Sequence, residues 1–129
     1  MKKIYLAEDD IDDQEIFREI IDALDHGIQL TIFHNGEELI KALNVLPNDE
    51  LPDLLLLDQN MPRLKGSETI QQIRSEPRYK PLPVAIYTTY HDANFARLCK
   101  EEGIELFQKP DTFDELSKLI HRLVAMYIK

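Results

Sequence analysis

The sequence predicts an α/β fold in which five strands alternate with five helices and the strands form one parallel sheet covered on both faces. Three observations carry this. Short apolar runs of strand length alternate with longer amphipathic stretches of helical period. The run Leu54-Leu55-Leu56-Leu57 is apolar at every position, as suits a strand buried on both faces in the middle of a parallel sheet. That run ends in Asp58, and Met61-Pro62 turns the chain away. A carboxylate therefore stands outside the carboxyl end of a central strand, where open α/β sheets bind their ligands.

The elements follow in order. Lys3 to Ala7 reads as a first strand ending at Glu8-Asp9-Asp10. Ile16, Phe17, Ile20, Ile21 and Leu24 then recur at helical spacing, with acids and Arg18 on the other face. Asp10 can cap this helix, the acids after it suit the positive end of the helix dipole, and Gly27 is expected to end it. Ile28 to Phe33 is a second strand. Asn35, with Glu38 three residues later, opens a helix whose apolar face is Leu39, Ile40 and Leu43. A proline-containing loop over residues 46–52 leads into the four-leucine strand. Gly66 opens a third helix, with Ile70 and Ile73 inward, that stops before Pro77. Val84 to Tyr87 is a fourth strand ending at Thr88-Thr89. Asp92 to Glu102 is a fourth helix ending at Gly103, and Ile104 to Gln108 a fifth strand before Lys109-Pro110. Thr112 and Glu115 form a capping box for a last helix carrying the stripe Leu116, Leu119, Ile120, Leu123, Val124 and Tyr127.

Five β-α units are too few for an eight-fold barrel. With right-handed crossovers they fit the doubly wound, flavodoxin-like (βα)5 sheet of strand order 2-1-3-4-5. No linker or repeat interrupts the chain, so residues 1–129 read as a single domain.

The balance of 15 basic against 24 acidic residues gives a net charge of −9, which argues against generic binding to nucleic acid or to an anionic membrane. The apolar run after the N-terminal lysines is too short for a signal peptide, and no run has the length of a membrane span. One cysteine, Cys99, cannot form an internal disulfide. A cytoplasmic protein is the expectation. His26, His34, His91 and His121 are scattered and carry no ligand pattern.

In the predicted strand order the first and third strands are neighbours. Glu8 and Asp9 then lie beside Asp58, with Thr88 and Lys109 on the same edge of the sheet. Three carboxylates at about 5 Å repel by about 3 kcal/mol per pair at an effective dielectric of 20. A hard, oxygen-preferring cation relieves that repulsion, and Mg²⁺ typically uses one or two carboxylates, waters and phosphate oxygens. A cation, an ammonium and a hydroxyl around a carboxylate suit a phosphoryl group, with Asp58 as nucleophile.

Glu8-Asp9, Asp58, Thr88 and Lys109-Pro110, each at a strand end and in this order, resemble the receiver domain of two-component response regulators. The likeness runs from Lys3 to about Tyr127, and the segments 53–62 and Lys65-Gly66 are especially similar. The resemblance implies that Asp58 is the phosphoacceptor. It implies that Asp9 ligates Mg²⁺ (with Mn²⁺ as a substitute), that Glu8 acts mainly through a water, and that the Asn60 carbonyl completes the protein's share. Lys109 is expected to pair with Asp58 or the phosphoryl oxygens, and Thr88 to move onto the phosphoryl group as the switch. The Lys109-Pro110 bond is expected to be cis. Thr89 is small, which leaves access, while Asn60 and Tyr90 occupy positions that tune water entry, with the bulky Tyr90 implying slow self-dephosphorylation. The phosphoryl donor implied is a histidine kinase or histidine phosphotransfer protein, with output through a further protein partner. A stand-alone receiver is expected, an enzyme only toward its own phosphorylation and dephosphorylation.

Two departures stand out. Leu106 occupies the position where the family usually has Tyr or Phe, so the aromatic half of the usual switch is missing; Tyr87 and Tyr90 flank the threonine pair as substitutes. Asp111 replaces a commonly apolar residue, and Phe113 is expected to fill the space. The alternatives weighed are an aspartyl-phosphate phosphatase, a flavin or nucleotide carrier, and a degenerate receiver used as a scaffold.

Overall fold

In the computed structural model, which describes residues 2–24, 27–89 and 92–128, the five units wind as expected. The strands are β1 (Lys2–Ala7), β2 (Ile28–Phe33), β3 (Leu54–Asp58), β4 (Val84–Thr88) and β5 (Glu105–Gln108). They pair in parallel in the order β2-β1-β3-β4-β5. The helices are α1 (Ile11–Ala23), α2 (Gly36–Asn44), α3 (Gly66–Ser75), α4 (Ala93–Glu101) and α5 (Phe113–Tyr127).

The four leucines of β3 explain the two-layer core. All are 0% exposed. Because side chains alternate along a strand, Leu54 and Leu56 face the layer with Phe17, Ile20 and Leu123, while Leu55 and Leu57 face the layer with Leu39, Ile70 and Phe95. Burying each such side chain stabilises the fold by about 1.5–3 kcal/mol. β3 is thereby held from both faces, and Asp58 at its end inherits that rigidity.

Helix starts follow the predicted caps. The Asp10 side chain accepts from Asp13 N at 3.0 Å, Asn35 from Glu38 N at 2.9 Å and Thr112 from Glu115 N at 3.2 Å. The Glu38 carboxylate, however, accepts from His34 N, one residue before the cap. Ends differ more. α1 stops at Ala23 instead of Gly27: Leu24 turns extended and packs against the α1/α5 layer, and Gly27, at φ 96°, feeds β2 instead. β5 begins at Glu105, because Ile104 N is tied back to Cys99 O at 2.8 Å. Cys99 itself is buried, which pushes its thiol up to about 11.

The connectors carry two 3-10 turns, at Asn48–Glu50 and Pro77–Tyr79. The Arg74 guanidinium donates to the carbonyls of Tyr79, Lys80 and Leu82 at 3.1–3.2 Å and so pins the approach to β4. Among the described residues, no helix is long and apolar enough to cross a membrane.

Candidate functional site

Register places the site. Ala7 pairs with Leu57, Asp58 with Tyr87, and Tyr87 with Phe107. One step beyond Ala7, Glu8 falls level with Asp58. Glu8, Asp58, Tyr87 and Phe107 therefore form one row across the sheet, and in a parallel sheet such a row faces one side. That side is the α1/α5 side, where Tyr87 and Phe107 pack.

The row is closely bonded. Glu8 is 1% exposed. Its Oε1 accepts from the Tyr87 hydroxyl at 2.5 Å and its Oε2 from Asp10 N at 3.0 Å. Asp58 Oδ1 accepts from Asn60 N at 3.0 Å. One carboxylate oxygen from each of Glu8, Asp9 and Asp58 lies within 4.8 Å of the others.

Burial raises both inner carboxyls. Glu8 is pushed up to about 7, with the hydrogen bonds from Tyr87 and Asp10 opposing and the charges of Asp58 and Asp13 adding. Asp58 is also raised, by burial first and by Asp9, against the pull of Asn60 N and Lys109. A cluster made wholly of oxygen donors, in which burial holds Glu8 and Asp58 back from ionising, fits a hard divalent cation that would return those two to the charged form.

Lys109 departs from expectation. Its ammonium lies 2.5 Å from Asp13 Oδ2 and 5.9 Å from the centroid of the Tyr87 ring, so its ion-pair partner is Asp13 and not Asp58. Two residues beyond Phe107 in the strand alternation, the side chain enters the α1 layer, where the first turn of α1 presents Asp13. Asp13 reads from sequence only as a dipole-favoured solvent acid. The Lys109-Pro110 bond also differs: no peptide bond among the described residues is cis. Trans is the lower-energy isomer of an isolated X-Pro bond by about 0.5–1 kcal/mol.

Thr88 ends β4 and is 7% exposed. By alternation it shares the opposite face of the sheet with Leu106, which packs half-buried in the α2/α3/α4 layer. Thr89 Oγ1 accepts from the Asn60 side chain at 3.2 Å, so Asn60 bridges the ends of β3 and β4. Tyr90 lies outside the described residues. Phe113 is 45% exposed and lines the same groove as Asp111.

Gly66 closes the back of the site. A Cβ there would lie 2.8 Å from the Asp58 carbonyl oxygen and 2.4 Å from Ile86 Cδ1, so α3 packs directly against the end of β3. The Gln59 side chain reinforces the contact, accepting from Ser67 N at 2.7 Å.

Sequence reasoning missed two partners, Asp13 for Lys109 and Glu8 for Tyr87. The second was recoverable from strand register, because counting back from Thr88 puts Tyr87 level with Asp58.

Comparison with known proteins agrees with this geometry. The model of the response regulator receiver domain matches residues 4–121. The chain is 33% identical over 102 residues to the DNA-binding transcriptional regulator NtrC of Escherichia coli K12, covering 78% of this chain and 20% of NtrC. It thus spans about a fifth of the length of that relative. It is 26% identical to the response regulator Rcp1 of Synechocystis, covering 99% of this chain and 90% of Rcp1. The crystal structure of the Mn²⁺-bound form of Rcp1 superposes with a TM-score of 0.87 at 25% identity, over 100% of this chain and 96% of that one. The phosphorylated cyanobacterial phytochrome response regulator RcpA superposes with a TM-score of 0.89 at 23% identity, over 99% and 94%.

Proposed function

The chain belongs to the response regulator receiver domain family, and from that premise we propose that Asp58 accepts a phosphoryl group from a phosphohistidine on a histidine kinase or histidine phosphotransfer protein. The observation that carries this is the cluster of Glu8, Asp9 and Asp58, with one carboxylate oxygen of each within 4.8 Å of the others at the strand ends.

Glu8, Asp9 and Asp58, with the carbonyl of Asn60, would hold Mg²⁺, or Mn²⁺ in its place; that Rcp1 has a Mn²⁺-bound form supports a divalent cation. Such a cation supplies charge neutralisation for the carboxylates and for phosphoryl oxygens. An oxygen of Asp58 attacks phosphorus, the P–N bond to the donor imidazole breaks, and an acyl phosphate forms. Asp58 must be ionised to do this, and Lys109 is among the groups that oppose its raised pKa. Lys109 leaves Asp13 for a phosphoryl oxygen, and the Thr88 hydroxyl donates to another. Thr89 leaves room for the phosphoryl group, while Asn60, whose side chain donates to Thr89 Oγ1, stands beside the path of water to it.

The donor docks beside the site. Ile16, Pro110, Phe113 and Leu116 line a groove of about 290 Å³ together with the polar Asp13, Lys109, Asp111 and Thr112. This mixed groove, which contains the Lys109 proposed to meet the phosphoryl group, suits a helical phosphohistidine carrier. Output passes to a protein partner of the phosphorylated form. A cytoplasmic setting, where such kinases keep their catalytic parts, goes with this reading, and the 129 residues act as one receiver unit.

Incubation with acetyl phosphate and Mg²⁺, followed by intact-mass measurement, tests the proposal. One added phosphoryl group is expected, absent in Asp58→Asn and absent without Mg²⁺. No adduct on the unmodified chain would overturn it in favour of a scaffold, and steady turnover of a phosphate ester in favour of a phosphatase.

A further inference from the structure

The aromatic position of the usual switch is Leu106, on the α2/α3/α4 side of the sheet. Among the described residues, the aromatic side chains that reach the acidic cluster and pack beside it, Tyr87 and Phe107, lie on the other side. Tyr87 is 1% exposed, with its ring 5.3 Å from Phe17 of α1 and 5.9 Å from Phe107 of β5. The Phe107 contact is stacked, at 27° between planes. Its hydroxyl meets the acidic cluster itself, through Glu8 Oε1 at 2.5 Å.

We infer that Tyr87 is the positioning residue that fixes the metal-facing carboxylate of Glu8 and carries the occupancy of the site to Phe107 and α5, on the sheet face opposite Leu106. The inference rests on reading Glu8, Asp9 and Asp58 as a divalent-cation site.

The geometry leaves Glu8 little freedom. Each carboxylate oxygen already accepts a bond, one from Tyr87 and one from Asp10 N, so the plane of the carboxylate is set by groups that are themselves fixed. Partners of this kind orient metal-facing side chains, and their loss typically lowers metal affinity by about 10- to 100-fold. The coupling also runs outward. The ring cannot follow Glu8 without sliding against Phe17 and Phe107, because close-packed interiors transmit small displacements instead of absorbing them. Phe107 is half-buried on the edge strand against α5. A change at the cleft therefore surfaces on the α1/β5/α5 side.

Mg²⁺ titration by calorimetry and by ¹H–¹⁵N spectra, on the wild type and Tyr87→Phe, tests this. The phenylalanine keeps the ring stack and removes only the hydroxyl. The expected result is Mg²⁺ affinity about 10-fold weaker, and loss of the Mg²⁺-induced amide shifts at Phe107 and Leu116 at saturating metal. Equal affinity with unchanged shifts overturns the inference and leaves the cation site standing. A wild type that does not bind Mg²⁺ overturns the cation site and takes the inference with it. Should Tyr87→Phe fail to fold, Phe107→Leu tests the path from its far end. Wild-type Mg²⁺ affinity with no response in α5 supports it, and a retained α5 response overturns it.

Discussion

Lys109 has two suitors. Asp13 holds its ammonium at 2.5 Å, with both side chains less than a third exposed, while the phosphoryl group proposed for Asp58 needs the same charge. An ion pair near the surface is worth about 0.2–1 kcal/mol. Removing the competitor should therefore release Lys109 at modest cost. Asp13→Asn is expected to raise the rate of phosphorylation by acetyl phosphate about two- to five-fold, and Lys109→Ala to lower it, in a mass-spectrometric time course. An unchanged rate in Asp13→Asn would mean the pair has no say in the chemistry. At this scale the sequence announced Glu8, Asp9 and Asp58, because an acid at a strand end is legible from the run that precedes it. Asp13 was not legible: its partner lies at the far end of the chain, and the pairing depends on which way a long, flexible side chain leans. The isomer of the Lys109-Pro110 bond depends in the same way on what surrounds it.

Among the elements, α3 and β3 meet with no space between them. A Cβ on Gly66 would collide with the Asp58 carbonyl and with Ile86, both parts of the central strands. Ile86 Cδ1 is the end of a side chain and can swing aside, but the Asp58 carbonyl oxygen is backbone and cannot give way without moving Asp58. Gly66→Ala is expected to cost about 1–3 kcal/mol by overpacking, read by urea denaturation, and to slow acetyl-phosphate labelling of the molecules that remain folded. Normal labelling with lowered stability would show that the strand end yields without disturbing Asp58. The helices themselves were readable from period and caps. Their ends were less so: α1 stops early because Leu24 finds an apolar layer in extended form, which no local signal reports. Strand register was implicit in the pattern but only becomes usable once strand order is known, which is why the row from Glu8 to Phe107 emerges from the sheet and not from the list of residues.

For the molecule as a whole, strand order followed from the alternation of elements, right-handed crossovers and one strand apolar on both faces. That order also creates a destabilising feature. Three carboxylates converge in one cleft, two of them raised by burial. Replacing one by an amide removes repulsion of up to about 3 kcal/mol per pair. Metal-free Asp58→Asn is expected to melt higher than the metal-free wild type. Mg²⁺ is expected to stabilise the wild type by about 2.7 kcal/mol at a hundred times its dissociation constant, and Asp58→Asn by less. Thermal unfolding with EDTA or Mg²⁺ reads both, and a lower melting point for metal-free Asp58→Asn would deny that the cluster is strained by its own charge.

The adjacency of β1 and β3 has a consequence in time as well as in space. Glu8 and Asp58 sit on strands separated along the chain by α1, β2 and α2. The loop those elements span must close before the acids can meet, and such non-local closure is the slow part of building a sheet of this kind. During synthesis the nascent chain carries its acids apart and unopposed until β3 emerges, so the cleft is an interaction of the finished structure. A cation that binds it acts on the exit from the native state, retarding unfolding, and leaves the rate of entry almost untouched.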